Sequence, residues 1–241
     1  MYENYNLKTK DCYIAYFDIL GYAETIRKDN TNTALLGRIS DCIRTAKTLI
    51  GIPTFPNNKS DMEMKVFSDN FFFCTESEHI WLVTYISHLQ MELITQGIFI
   101  RGAICYGNIF INEDFVYGKG LIDVYGLENK IAIFPRIIID DSFIVALQKL
   151  KAPQTSVASD IESLYASTDF DNNKYVDYLK HSYVNLGDCI AFKDFLLKHK
   201  KIICCNLKEE ADKSVLQKYN WCRTYHNNFC KKHDFNDYLI N

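Results

Sequence analysis

Twice in this chain a run of β-branched and aromatic residues closes on an aspartate, and that pairing constrains the fold more than any other feature. The first run is Tyr13-Ile14-Ala15-Tyr16-Phe17-Asp18. The second is Met64-Lys65-Val66-Phe67-Ser68-Asp69, continued by Asn70-Phe71-Phe72-Phe73. Such runs read as buried strands, and a carboxylate at the end of one is costly unless something neutralises it. Singly, each aspartate also has an ordinary reading, Asp18 as a helix cap and Asp69 as a hairpin-turn residue. Side by side, they would make a hard oxygen site for Mg²⁺ or Mn²⁺, the metals that handle nucleoside triphosphates.

The spacing of apolar residues orders the rest of the chain. A strand over 11–18 is followed by a helix starting near Gly21 and a second helix over 31–50, closed by Gly51 and Pro53. After a loop at 55–60, strands over 62–69 and 71–75 meet as a hairpin at Ser68-Asp69-Asn70. Then come a helix over 78–96 capped by Gly97, a strand over 98–110, a short strand at 115–117, a helix over 119–130, a strand over 133–140 and a helix over 141–150. This alternation predicts an α+β fold, an α/β sandwich with helices on one face of the sheet. Residues 1–150 read as one domain, and 151–241 as a partly helical C-terminal extension packed on it. In the last helix, over 211–231, Trp221, Tyr225 and Phe229 recur four apart, an aromatic stripe for packing on the main domain.

Composition excludes several classes. A formal charge of -3 argues against a dedicated nucleic-acid binder. No run approaches the roughly 20 apolar residues of a membrane span, and Met1 to Asn6 has no apolar signal core. A cytoplasmic location is therefore expected. The nine cysteines contain no CxxC pair, so free, mostly buried thiols are expected. The six histidines show no ligand spacing.

Phe17-Asp18-Ile19-Leu20-Gly21-Tyr22, the Lys65 to Asp69 spacing, Arg101-Gly102-Ala103-Ile104-Cys105-Tyr106-Gly107, and Gly118 through Leu127-Glu128 occur in that order. In this the chain resembles the class III nucleotidyl cyclase catalytic domain, with its ferredoxin-like βαββαβ core, over about residues 11–150. Through Ile100-Arg101-Gly102-Ala103, Tyr106-Gly107 and Phe134-Pro135-Arg136-Ile137-Ile138-Ile139-Asp140 it is more narrowly similar to the bacterial cyclases of Pycsar antiphage defence. Those enzymes make cyclic pyrimidine mononucleotides and carry a long C-terminal extension.

The resemblance implies attack of the ribose 3′-oxygen on the α-phosphorus of a nucleoside triphosphate, with pyrophosphate leaving. It places two Mn²⁺ or Mg²⁺ ions on Asp18, Asp69 and Ile19, and a head-to-tail homodimer with sites at the interface. A cyclic-nucleotide-sensing effector would act through the product and not by direct contact. The N–H groups of Ile19, Leu20 and Gly21, opening a helix, are a candidate cradle for the phosphates, although a simple helix cap explains Gly21 equally well. Purine-specific members carry an asparagine and an arginine where this chain has Ile122 and Gly126. Arg101 and Arg136 are candidate replacements for the missing cation, or else salt bridges at a sheet edge.

Lys65 aligns with the base-reading lysine of the family and Phe115 with its adenine-reading acid. A phenylalanine cannot accept from adenine's amine, and leaving that amine unpaired costs roughly 1–3 kcal/mol. Adenine is therefore disfavoured and uracil mildly favoured over cytosine, unless Phe115 is plain core. The expected reaction is UTP, or CTP, to the 3′,5′-cyclic monophosphate. Three alternatives stay open. One is a non-catalytic nucleotide-binding domain, and another is a purine-specific cyclase-homology domain. The third is a different enzyme on the same core, disfavoured because Phe67-Ser68-Asp69-Asn70 stands where a diguanylate cyclase has Gly-Gly-Asp/Glu-Glu-Phe.

Overall fold

The computed structural model describes residues 8–28, 31, 33–50, 60–77, 79–150, 159–209 and 212–241. The expected helix stop at Gly51 and Pro53, and most of the loop after it, lie outside the described residues.

In chain order the elements are β1 (Lys10–Ile19), α1 (Tyr22–Lys28), α2 (Thr33–Ile50), β2 (Glu63–Phe67), β3 (Asn70–Thr75), α3 (His79–Thr95), β4 (Ile100–Ile111), β5 (Val116–Tyr117), α4 (Lys119–Lys130), β6 (Ile137–Ile139) and α5 (Asp141–Gln148). A π turn over Ile161–Tyr165 leads into β7 (Ala166–Thr168) and β8 (Lys174–Val176). The helices α6 (Tyr178–Leu186), α7 (Ile190–Glu209) and α8 (Lys213–Lys232) follow. The strand expected over 133–140 is confined to 137–139, because residues 134–136 bend, with Arg136 N turned onto the Phe134 carbonyl at 2.7 Å.

Among the described residues the sheet has the order β2-β3-β1-β4-β6-β8-β7, with β5 pairing on β4. β1 runs antiparallel to β3 and β4, and β4 parallel to β6. The first four strands thus form the βαββαβ unit with β1 and β3 inside, which is the ferredoxin-like arrangement expected from the sequence. The sheet does not stop at residue 150: β8 pairs with β6 and β7 with β8.

Helices cover both faces, which corrects the expectation of one. Tyr13, Ala15, Phe17 and Ile19 of β1 pack with α2, α3 and α5. Cys12 and Ile14 pack with α4, α7 and α8. A central strand apolar on both sides needs cover on both, and the C-terminal region supplies much of the second layer. Trp221, Tyr225 and Phe229 are all buried there. The nine cysteines are free, six of them buried.

The seating of α4 depends on two glycines. A Cβ on Gly107 of β4 would stand 2.7 Å from Gly120 Cα, so the helix can lie this close to the strand only because neither residue has a side chain.

Candidate active site

The ladder register brings the candidate residues to one end of the sheet. Asp18, the penultimate residue of β1, faces Asn70 on β3 and Arg101 on β4. Directly paired residues project to the same face, here the face covered by α4. Ser68 and Asp69 form a two-residue hairpin turn between β2 and β3, with Phe67 paired to Asn70. Ser68 takes the left-handed φ of 57° that such a turn requires at its first position. The Asp69 carbonyl accepts from Ile19 N at 3.2 Å, tying the turn to the end of β1. Asn70 Nδ2 donates to Asp69 Oδ1 at 3.2 Å, and the Tyr16 hydroxyl fixes Asn70 by donating to its Oδ1 at 2.6 Å.

Arg101 is the cation of the group. It donates through Nε to Asp18 Oδ1 and through Nη2 to Oδ2, both at 3.1 Å. Its Nη2 also stands 2.8 Å from Glu128 Oε1 on α4. Glu128 is buried beside Val124, one helical turn earlier on the same face. Burial pushes the Asp18 carboxyl above its ordinary value; Arg101 pulls it down and the charge of Asp69 adds to the rise. Burial, and then the neighbouring Asp18 charge, push Glu128 up to about 7. Burial works against the Arg101 charge, but Asp18 and the other two acids outweigh it and raise the group. Lys218 of α8 is lowered by burial and by Arg101 and raised by Asp18, so this helix brings a second cation into the field of the site.

Among the described residues no group of three or more His, Cys, Asp or Glu side chains could hold a metal ion. The candidate donors are Asp18 and Asp69 with the main chain of Ile19. Two carboxylates suit Mg²⁺, which takes one or two from a protein and completes its shell with water and substrate phosphates. The chemistry of the donor set therefore fits such an ion.

The other expected residues divide. Lys65 and Phe115 come to one loop: Lys65 Nζ donates to the Glu113 carbonyl at 2.8 Å, and Phe115, half exposed, packs on Phe110 at 5.4 Å. Arg136 is engaged elsewhere. Fully buried, it pairs with Asp169 and Asp171, while its carbonyl accepts from Gly102 N at 3.1 Å. The phosphate cradle at Ile19 and Leu20 does not form. Ile19 N is spent on Asp69 O and Leu20 N on Phe99 O at 2.8 Å, since the strand pairing carries on to the end of β1 and α1 starts only at Tyr22. Gly21 takes φ 74° as the turn residue between them. Ile122 is exposed on α4 and open space surrounds Gly126.

Sequence reasoning missed Glu128 and Lys218 as neighbours of Asp18. The helical spacing of Val124 and Glu128 was the available signal for the first. For Lys218, nothing local distinguishes it from the other lysines of α8.

No family model matches the chain, and neither does any curated protein. Among solved structures, the monomeric guanylyl cyclase domain of the RhoGC fusion protein from the aquatic fungus Blastocladiella emersonii is similar at 13% identity. That match covers 70% of this chain and 95% of that one, with a TM-score of 0.49. An adenylate/guanylate cyclase/hydrolase from Silicibacter pomeroyi is similar at 16% identity over 70% and 95% of the two chains, with a TM-score of 0.42. The catalytic core of a rhodopsin-guanylyl cyclase in complex with ATPαS is similar at 12% identity over 70% and 98%, with a TM-score of 0.47.

Among the described residues no helix is long and apolar enough to cross a membrane.

Proposed function

We propose that the chain is a nucleotidyl cyclase that converts a nucleoside triphosphate to its 3′,5′-cyclic monophosphate and pyrophosphate, with UTP preferred and CTP next. The observation that carries this reading is the convergence of Asp18 and Asp69 at adjacent ends of β1 and β3, bound together through Ile19 N and Asp69 O. Asp18 and Asp69, with Ile19, would hold Mn²⁺ or Mg²⁺, which when bound lowers the pKa of the 3′-hydroxyl and neutralises the phosphate charge. Arg101, held against Asp18 and Glu128, is the cation beside the aspartate pair and would face the incoming phosphate charge from there. Lys65 and Phe115 supply the base contact: an ammonium donates to a carbonyl acceptor and a phenyl ring accepts nothing, which selects against an exocyclic amine.

The site would be completed by a second copy of the chain. Phe67 of β2, Tyr117 of β5 and Ile122 and Tyr125 of α4 are large side chains at least half exposed, surface that a second copy would cover. As part of the same reading, the product is a second messenger in antiphage defence, read by a separate effector.

The test is chromatography of products after incubation with each of the four triphosphates and Mn²⁺. Cyclic UMP or cyclic CMP supports the proposal. A second reading, a nucleotide-binding domain without turnover, is favoured by Ile122 and Gly126, neither of which can stabilise a transition state, and would yield no cyclic product from any of the four.

A further inference from the structure

A cavity of about 780 Å³ opens between α8 and the β7–β8 hairpin. Asp18, Asp69, Arg101, Glu128 and Lys218 do not line it. Its size falls within the range of small-molecule sites, and its lining changes character along α8.

One end is aromatic. Phe134 packs edge-on to Phe170 at 5.5 Å and parallel to Trp221 at 6.1 Å. Trp221 is pinned by its Nε1, which donates to Asp169 Oδ2 at 2.7 Å, and has Tyr225 stacked at 5.3 Å. The Phe170 ring is 71% exposed, so it offers a free face held in place by its neighbours. A polar ridge runs alongside the aromatic residues, on both sides of Trp221. Gln217, Asn220, Thr224 and Asn228 stand on one stripe of α8. Amides both donate and accept, as the edge of a heterocyclic base requires. Asn220 spends its Nδ2 on the Leu216 carbonyl at 3.0 Å and keeps its Oδ1.

The far end carries two lysines, Lys180 and Lys232, beside His233; Lys180 Nζ donates to the Ala166 carbonyl at 2.8 Å and, as an ammonium, has further N–H groups to offer. The nearby carboxylate, Asp177, is committed: it accepts from the Tyr225 hydroxyl and Ser167 Oγ, both at 2.6 Å, and from Lys180 N at 3.0 Å. Burial lowers Lys180 and His233; Lys232 adds to the lowering, and the Asp177 carboxylate works against it at both. Two lysines on one wall favour an anion there. Trp221 and Lys232 lie roughly 16 Å apart along the helix axis at 1.5 Å per residue. A base at the aromatic end and phosphates at the lysines fit that span with side-chain reach.

We infer that this cavity is a second nucleotide site, with the base on the Phe170 ring, its edge along the amide ridge and the phosphate at Lys180 and Lys232. The inference does not depend on turnover at the aspartate pair.

The experiment is isothermal titration calorimetry of the full chain in EDTA with UMP, AMP, UTP, ATP, uridine, adenosine and inorganic phosphate. At least one nucleotide binds saturably, and its nucleoside and inorganic phosphate each bind roughly tenfold more weakly, the worth of a charge-assisted hydrogen bond or a stacked base. Lys232→Glu and Phe170→Ala each weaken binding roughly tenfold. Both side chains are exposed, so the fold is kept, which thermal unfolding checks. Asp69→Ala binds as wild type does. The inference is overturned if no nucleotide binds at millimolar concentration, or if inorganic phosphate binds as tightly as the nucleotide. It is also overturned if Asp69→Ala abolishes binding while Lys232→Glu leaves it intact, because the nucleotide is then at the aspartate pair.

Discussion

Asp18 on β1 and Arg101 on β4 hold each other through two hydrogen bonds of 3.1 Å across the central strand pair, and Glu128 reaches the same guanidinium from α4 at 2.8 Å. One arginine thus balances two acids in a largely buried place. Removing it leaves the carboxylates facing each other without compensation. Arg101→Ala is expected to lose about 3 kcal/mol of stability in urea unfolding with EDTA present. Adding Glu128→Gln should restore at least about 1 kcal/mol, because residues in one charge network are coupled. Additive losses would mean that Glu128 and Arg101 do not interact.

Asp69 stands in a turn, where its side chain accepts one hydrogen bond, from Asn70. Its proposed role is with a metal and not with packing. Asp69→Ala should keep stability within about 1 kcal/mol of the parent. Cyclic-product formation should fall at least about a hundredfold, since losing even a supporting group costs about 10–100-fold. Thermal melts and a product assay on the same preparation separate the two effects.

Arg136 gives the opposite pattern. It is fully buried between Asp169 and Asp171, and Asp169 also receives Trp221 Nε1. Arg136→Ala is expected to cost about 3–5 kcal/mol, the cost of breaking a buried pair. Turnover per folded molecule should remain near the parent value, measured at a temperature where the variant is folded. A variant of normal stability without turnover would return Arg136 to the chemistry.

His181 predicts the acid limb of stability. Its ring bonds Ser87 Oγ at 2.7 Å through Nδ1, and burial, then the neighbouring His88, lower it to about 4. Between the ordinary value of about 6.5 and 4 the unfolded chain binds more protons than the folded one. The contribution is therefore complete above about 6.5 and is lost as pH falls toward 4, amounting to up to about 3 kcal/mol. The buried His199 and His226 are lowered too and act in the same sense. Glu128, raised, opposes them by losing its contribution as pH rises through 7. Urea midpoints should drop from pH 7 to pH 5, and His181→Gln should flatten that slope.

Much of this was legible in the sequence, for physical reasons. The strand runs ending at Asp18 and Asp69 are dense in β-branched and aromatic residues, and the strand from Ile100 carries its arginine and glycines in one short run, so local composition fixed their state. The α+β class then followed from alternation, and the βαββαβ order from the resemblance those segments carry. What failed was information that no single segment carries. Whether Ile19 and Leu20 have free N–H groups depends on Asp69 and Phe99. Arg136 resembles a site cation until Asp169 and Asp171, more than thirty residues on, take it. Lys218 approaches Asp18 only because α8 folds back across the sheet. The second helical layer was missed because the polar stretch after residue 150 hides a chain that still adds two strands ahead of α6, α7 and α8.

The central claim is that Asp18 and Asp69 share divalent metal, and the most direct measurement is Mn²⁺ binding followed by electron paramagnetic resonance in the presence of a non-hydrolysable triphosphate analogue. The parent chain should bind Mn²⁺, and both Asp18→Asn and Asp69→Asn should lose at least about tenfold in affinity while remaining folded. Parent-like Mn²⁺ affinity in either folded variant would contradict it.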